Sequence, residues 1–134
     1  MTDSGITRVN PPELARPSGF SHAVVASGRT VYLAGQTALD KSGTIVGDGI
    51  VGQFEQALGN LLVALAAAGG TPDHLVKLTI YIVDMDDYRA HAHELGEIWR
   101  RLVGRTYPAA AAIGVPRLWD PQAQVELEAI ATLP

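Results

Sequence analysis

Apolar side chains recur at helical spacing in one long segment near the middle of the chain. Asp48 stands before this segment as a residue that can cap the free amides of a helix, and Gly69-Gly70 follows it as a stop signal. The apolar positions define one face of a helix. They are Val51, Phe54, Leu58, Leu61, Leu62 and Leu65. The pattern predicts an amphipathic helix that begins near Asp48 and ends before the two glycines.

A second amphipathic segment predicts another helix. Asp86 or Asp87 provides its cap, and Gly104 ends it. Its predicted inner face again follows the helical period. That face consists of Tyr88, Ala92, Leu95, Ile98, Trp99 and Leu102.

Runs rich in β-branched residues predict the strands. They cover residues 22–26, 30–36, 76–83, 109–115 and 124–132, with a short strand near residues 6–9 in an otherwise irregular arm. Ser27-Gly28-Arg29 predicts a hairpin between the runs 22–26 and 30–36. The predicted element order is therefore β-β-β-α-β-α-β-β, a mixed α/β (α+β) fold.

The predicted helices can cover only one face of the predicted sheet. Two helices of this length span one side of five or six strands. The run 30–36 is nevertheless apolar on both sides, with Val31 and Leu33 on one face and Tyr32 and Ala34 on the other. We therefore expect the second sheet face to be buried by packing between subunits.

Composition narrows the class of protein. The 134 residues fit a single domain, residues 1–134, and 47% hydrophobic with 18% charged residues is typical of a globular chain. There is no cysteine, which excludes disulfides and thiolate metal sites. A net charge of −4 disfavours nucleic acid as a partner, although Arg100, Arg101 and Arg105 could form a local basic patch.

The location of the protein is predicted from two further features. Residues 1–17 lack the basic and apolar pattern of a signal peptide. The longest apolar run, residues 61–68, is far shorter than the roughly 20 residues of a membrane span. We expect a cytoplasmic protein without a membrane partner.

Two motifs that could indicate a nucleotide or metal site are better explained by structural roles. Residues 47–52 match the glycine pattern of dinucleotide sites, but the acidic residue expected about 20 positions on is missing, so they predict a glycine-rich helix entry. His91 and His93 point to different helix faces and cannot chelate one ion. His93 and Glu97, four residues apart, predict a surface pair, and we expect no metal site.

Two carboxylates on the last strand are the strongest candidates for chemistry. Glu126 and Glu128 point to the same sheet face, which they share with Ile130. A solvated strand face is the simpler interpretation. A carboxylate on a largely buried face would instead have a shifted pKa and could act as a general acid or base.

At this point the chain resembles the reactive intermediate deaminase (Rid) family, also called YjgF-like. The resemblance covers nearly the whole chain and depends on the order and spacing of several short marks. They are residues 33–36, Gln53, Ala57, residues 60–61, 67–69, 76–84, 107–109 and 125–131.

The resemblance implies a chorismate-mutase-like fold with both helices on one sheet face. It also implies a homotrimer in which three sheets form an inner barrel, with three ligand clefts between subunits. The best-known members hydrolyse reactive imines and enamines to keto acids and ammonia, and they need no cofactor.

The resemblance also identifies site residues. Gly35 and the catalytic Glu126 match the family, and Glu126 would position water or move protons. The arginine that holds the substrate carboxylate in those members is replaced here by Ala110. Losing such a charge-assisted contact costs about 1.5–3 kcal/mol. Ala112 follows on the same strand, and Arg117 in the next loop is the candidate replacement.

Three more positions depart from the family pattern. Phe20 replaces the usual cleft tyrosine, Ala34 replaces a residue that is often serine, and Ala92 replaces a cleft asparagine. The substrate-binding set implied by the resemblance is therefore more apolar than usual. It comprises Phe20, Ala34, Gly35, Ala110, Ala112 and Arg117.

These residues favour a cofactor-independent hydrolase or deaminase of imine-like or enamine-like small metabolites other than the usual 2-imino acids. The alternative is a metabolite-binding trimer without catalysis, which the apolar pocket favours. Cleavage of single-stranded RNA, known for some relatives, is disfavoured by the negative net charge.

Overall fold

The apolar patterns fold into six strands and three helices in the computed structural model, which describes residues 5–134. The strands are β1 (Ile6–Val9), β2 (Ala23–Ala26), β3 (Arg29–Gln36), β4 (Leu75–Ile82), β5 (Ala109–Gly114) and β6 (Val125–Leu133). The helices are α1 (Gly49–Ala67), α2 (Met85–Ala90) and α3 (Ala92–Leu102), with a short 3-10 turn at Pro72–His74.

Four strands form the main sheet in the order β3-β6-β4-β5. β6 runs antiparallel to both β3 and β4, whereas β4 and β5 are parallel. A parallel neighbour requires a crossover, and α2 and α3 form it between β4 and β5. β5 is consequently an edge strand of the sheet.

The predicted hairpin between residues 22–26 and 30–36 is wrong. β2 pairs with β1 in a separate two-stranded sheet, and β3 pairs with β6. Gly28 lies at the transition with φ of 134°, and a Cβ there would collide with the carbonyl oxygen of Leu133. The chain therefore crosses from one sheet to the other at Gly28, and the expected sheet of five or six strands is divided into two and four.

The first predicted helix is confirmed as α1, and its apolar face packs on the sheet. Asp48 occupies the N-cap position, but its side chain makes no capping hydrogen bond. The helix ends as predicted, and the Gly70 N–H donates to the carbonyl oxygen of Leu65 over 2.9 Å. The buried side chains of α1 are Ile50, Gln53, Phe54, Ala57, Leu58, Leu61 and Leu65.

The second predicted helix is two helices that meet at His91. At this residue φ is −107° and ψ is 18°, which ends α2 and begins α3. The cap was misplaced, because the carboxylate of Asp84, rather than Asp86 or Asp87, accepts a hydrogen bond from the Asp87 N–H over 3.0 Å. Asp84 lies directly before the first residue of α2, so its carboxylate can accept a hydrogen bond from an amide of the first helical turn. Leu95, Ile98 and Trp99 are buried as predicted, but Ala92 is exposed.

The two faces of the main sheet differ in what covers them. Helices cover the face that carries Leu78, Ile80 and Leu127. No described element covers the opposite face, on which the side chain of Tyr32 is 79% exposed and that of Ile113 is 43% exposed. We call this second side the open face; it consists mainly of Tyr32, Lys77, Thr79, Tyr81, Ile113, Glu126, Glu128 and Ile130.

By length and hydropathy, α1 is the one helix among residues 5–134 that could cross a membrane. Its apolar face instead packs against the sheet, which is the arrangement of a core helix in a soluble-type α/β fold.

Candidate functional site

Gly35 and Glu126 lie in direct contact at the end of the main sheet. The pairing of β3 with β6 shifts between Leu33 and Gln36, so β3 carries an extra residue at a bulge there. A Cβ on Gly35 would lie 3.0 Å from the Glu126 Cδ and 3.2 Å from its Oε2. Only glycine leaves the carboxylate this position without displacement. The structure thus brings two of the predicted site residues together, with Ala34 beside them at the bulge.

The two carboxylates of β6 have different surroundings. The Tyr81 hydroxyl donates to Glu128 Oε1 over 2.6 Å, and this hydrogen bond is the main cause of the raised pKa of Tyr81. Glu126 makes no hydrogen bond or salt bridge to any described residue, and it is only half-buried. Of the two, Glu126 is the carboxylate that is available to a ligand.

The N-terminal arm is held against the start of β5. The Ser21 N–H donates to the Pro108 carbonyl oxygen over 3.0 Å, and the Ser21 hydroxyl donates to the Tyr107 carbonyl oxygen over 2.7 Å. Phe20 precedes this contact and packs edge-to-face on His22 with ring centroids 5.1 Å apart. The arm therefore places Phe20 near the strand that carries Ala110.

Ala110 opens into a cavity of about 340 Å³ between the sheet, the crossover helices and the arm. We call it the aromatic cavity, because the rings of Phe54, Tyr88, Trp99 and Tyr107 contribute to its wall. It is lined by Ser18, Gly19, Phe54, Leu78, Ile80, Tyr88, Ala92, His93, Leu95, Gly96, Trp99, Arg100, Tyr107 and Ala110. Its volume lies in the usual range of small-molecule sites, roughly 300–1,000 Å³.

The sequence did not identify the rings as site residues. Tyr88 and Trp99 were predicted only as the inner face of a helix. The signal that could have found the cavity is the pair Ala92 and Ala110, since both replace larger polar residues in the family pattern and both line this cavity.

The predicted site residues form two groups that one chain keeps apart. Glu126 pairs with Tyr81 on the open face, whereas Ala110 pairs with Leu78 on the covered face. The register separates the Cα atoms of Glu126 and Ala110 by two strands across and three residues along the sheet, roughly 14 Å from standard strand spacings. A ligand that touches both groups would need surfaces from two copies of the chain.

Ala112 and Arg117 join neither group. Ala112 lies on the edge strand β5, exposed and outside the wall of the aromatic cavity. Arg117 is exposed in the loop after β5 and makes no hydrogen bond or ion pair with a described residue. Its role as a replacement for the family arginine remains a prediction.

The histidines of the crossover form two separate pairs. His91 Nδ1 lies 3.2 Å from the Asp87 carboxylate, and His93 Nε2 lies 2.7 Å from the Glu97 carboxylate. The predicted His93–Glu97 pair is confirmed. Within residues 5–134 no three histidine or carboxylate side chains come together as a metal-binding group.

Comparisons with known proteins identify the family. The sequence model described as Endoribonuclease L-PSP matches residues 12–133, nearly the whole chain. The chain belongs to the Rid (YjgF-like) family. The family prediction and the mixed α/β fold are therefore confirmed, and residues 47–52 form the predicted helix entry at the start of α1.

Relatives in the Rid family agree with this assignment along most of their length. A 2-iminobutanoate/2-iminopropanoate deaminase of Mus musculus is 40% identical over 113 residues, covering 84% of this chain and 79% of the relative. A RutC family protein of Pyrococcus horikoshii is 33% identical over 117 residues, covering 87% and 89%. The crystal structure of a Rid-family protein of unknown function from Yersinia pestis superposes with a TM-score of 0.86 at 37% identity, covering 96% and 99%.

Proposed function

We propose that three copies of this chain assemble with their open faces inward and hydrolyse small imines or enamines in the clefts between them, without a cofactor. The separation of the two residue groups supports the proposal most directly. One protomer would supply Gly35 and Glu126, and its neighbour would supply Phe20 and Ala110. Tyr32 and Ile113 are exposed on the open face and Ile130 is half-buried there, so covering this face with another subunit would remove apolar surface from water.

The chemistry assigned to Glu126 is proton transfer during hydrolysis. Its carboxylate accepts a proton from water while the water oxygen bonds to the imine carbon and the C=N electron pair moves to nitrogen. Glu126 then returns that proton to the nitrogen. Glu126 next takes the hydroxyl proton of this carbinolamine and delivers it to the amino nitrogen, the C–N bond breaks as the C=O bond forms, and ammonia leaves the carbonyl product. Gly35 permits this role because it leaves room for the carboxylate.

The substrates are expected to differ from those named for the mouse relative. Ala110 has no charge with which to hold a substrate carboxylate as the family arginine would. The loss of about 1.5–3 kcal/mol corresponds to roughly one to two orders of magnitude in affinity for a small 2-imino acid. We expect little turnover of 2-iminopropanoate or 2-iminobutanoate. Rates like those of arginine-bearing relatives would contradict this expectation.

The experiment is ammonia release from a panel of imines that are generated in situ. Glu126→Gln preserves shape and removes the base, so turnover of the best substrate should fall by roughly 10²-fold or more. Glu128→Gln is the matched control on the same strand, because its carboxylate is already engaged by Tyr81. Unchanged turnover in Glu126→Gln would overturn the assignment. Binding without turnover of any imine would favour the metabolite-binding alternative.

A further inference from the structure

The wall of the aromatic cavity suits a planar apolar group. Trp99 and Tyr107 stack with ring centroids 6.2 Å apart and an interplanar angle of 14°, and Phe54 and Tyr88 meet edge-to-face at 6.4 Å. Trp99 is only 7% exposed, so its ring is a fixed part of the wall. Aromatic walls favour stacked or edge-to-face contact with another ring.

One cation of this wall has no partner. His93 pairs with Glu97, and the neighbouring Arg101 pairs with Glu55 across the helices. Arg100 forms no ion pair within the described part of the chain. Its Nη1 would lie 3.3 Å from a Cβ on Gly96, so the missing side chain at Gly96 leaves the guanidinium room along the helix. A free guanidinium binds a carboxylate through two parallel hydrogen bonds.

We propose that the aromatic cavity binds the ring of an arylalkyl 2-imino or 2-keto acid while Arg100 binds its carboxylate. The inference rests on the proposed function, since it names the substrate class of the same cleft. Ala92 and Ala110 create the room for the ring at two positions where the family pattern has larger polar residues. Arg100, one α3 turn away from Gly96, holds the carboxylate of an acid whose ring is anchored in the cavity, so a small 2-imino acid without a ring still lacks the contact that the family arginine makes.

The test compares three ligands by calorimetry on the full chain. Phenylpyruvate carries the ring and the carboxylate, pyruvate only the carboxylate, and phenylacetone only the ring. Phenylpyruvate should bind about tenfold or more tighter than either of the others. It should also quench Trp99 fluorescence in a Trp119→Phe background, in which Trp99 is the remaining tryptophan. Similar affinities for phenylpyruvate and pyruvate would overturn the proposal.

Two pairs of variants separate the charge from the ring. Arg100→Gln should weaken phenylpyruvate about tenfold or more and leave phenylacetone unchanged, while Arg105→Gln, a nearby exposed arginine outside the cavity, should change neither. Ala110→Leu should weaken both ring ligands, whereas Ala67→Leu on the far end of α1 should weaken neither. An Arg100→Gln protein that keeps its phenylpyruvate affinity would contradict the inference even if Ala110→Leu failed to fold.

Because binding is measured without turnover, the two proposals fail separately. Arg100-dependent binding of phenylpyruvate with no ammonia release from any imine would overturn the hydrolase and preserve this inference. Imine turnover that depends on Glu126 but not on Arg100, together with no phenylpyruvate binding, would preserve the hydrolase and overturn this inference.

Discussion

The two faces of the main sheet carry side chains from the same strands under different constraints. On the covered face Ile80 and Leu127 are buried by helices, and every neighbour is supplied by the same chain. On the open face Tyr32 stays 79% exposed, and Tyr81 and Glu128 form a polar pair. One face thus stabilises the fold of a single chain. The other provides Glu126 of the candidate site and a surface that a single chain leaves uncovered.

The largest expected effect contrasts two residues of β6 that point to opposite faces. Leu127→Ala should lower the free energy of unfolding by about 2–5 kcal/mol at every protein concentration, since a fully buried leucine leaves a cavity. Ile130→Ala on the open face should cost less, and its cost should depend on concentration because it acts through assembly. Chemical denaturation over a range of protein concentrations distinguishes them. If both variants lost the same free energy of unfolding at every protein concentration, the two faces would not differ in the way described.

The next effect concerns assembly. We expect the wild-type protein to have a mass of about 43 kDa, three times the 14.2 kDa of one chain. Tyr32→Glu would bury an unpaired carboxylate between subunits and should yield folded monomers. Val63→Glu changes an equally apolar, 70% exposed side chain on the outer surface of α1 and should leave the trimer intact. Light scattering measures the mass of all three proteins. A wild-type monomer at micromolar concentration would refute the proposed cleft between subunits.

A smaller effect tests the contact between Gly35 and Glu126. Gly35→Ala places a Cβ 3.0 Å from the Glu126 Cδ and must push the carboxylate aside by a few tenths of an ångström. Turnover should fall about threefold to tenfold while the fold persists, because small misplacements of a catalytic group are costly. Gly114→Ala is the control, since its nearest neighbour would lie 3.9 Å away. A Gly35→Ala enzyme with full activity would show that this contact is incidental.

The smallest effect lies at the junction of α2 and α3 behind the covered face. The Asp87 carbonyl oxygen and, secondarily, the Asp87 carboxylate raise the pKa of His91 above its ordinary value. The native state therefore favours the imidazolium, and the added stability is present below the unfolded pKa and lost as pH rises through the folded pKa. Melting temperatures should show that His91→Gln is more destabilising at about pH 5.5 than at about pH 8.5. A larger loss at the higher pH would contradict the sign.

Local patterns predicted the elements better than their partners. The helical spacing of Phe54, Leu58 and Leu61 located α1. A helix that packs one apolar stripe against a sheet shows this spacing in its own sequence, whatever its partner is. The partner of β2 could not be found this way, since Ser27-Gly28-Arg29 fits a hairpin as well as it fits a change of sheet. The break at His91 was equally invisible, because the apolar period continues from Tyr88 through Leu95.

The candidate site was predictable only in part. Family resemblance named Gly35 and Glu126, but the bulge that brings them into contact arises from the pairing of β3 with β6. The aromatic cavity was missed because Trp99 lies in α3 and Tyr107 in the loop before β5, and only the folded path of that loop stacks the two rings. Side chains that meet across elements depend on nonlocal packing, which one sequence does not display.

The central claim is that one cleft takes Glu126 from one chain and Ala110 from the next. Co-expressed Glu126→Gln and Ala110→Trp chains test it, once each variant alone is shown to be a folded, inactive trimer. At equal amounts, about one in three clefts of the mixed trimers, and about a quarter of all clefts in the mixture, should combine an intact Glu126 with an intact Ala110, so the mixture should recover about a quarter of wild-type ammonia release. No recovery in mixed trimers would place both residues in a site within one chain and contradict the account.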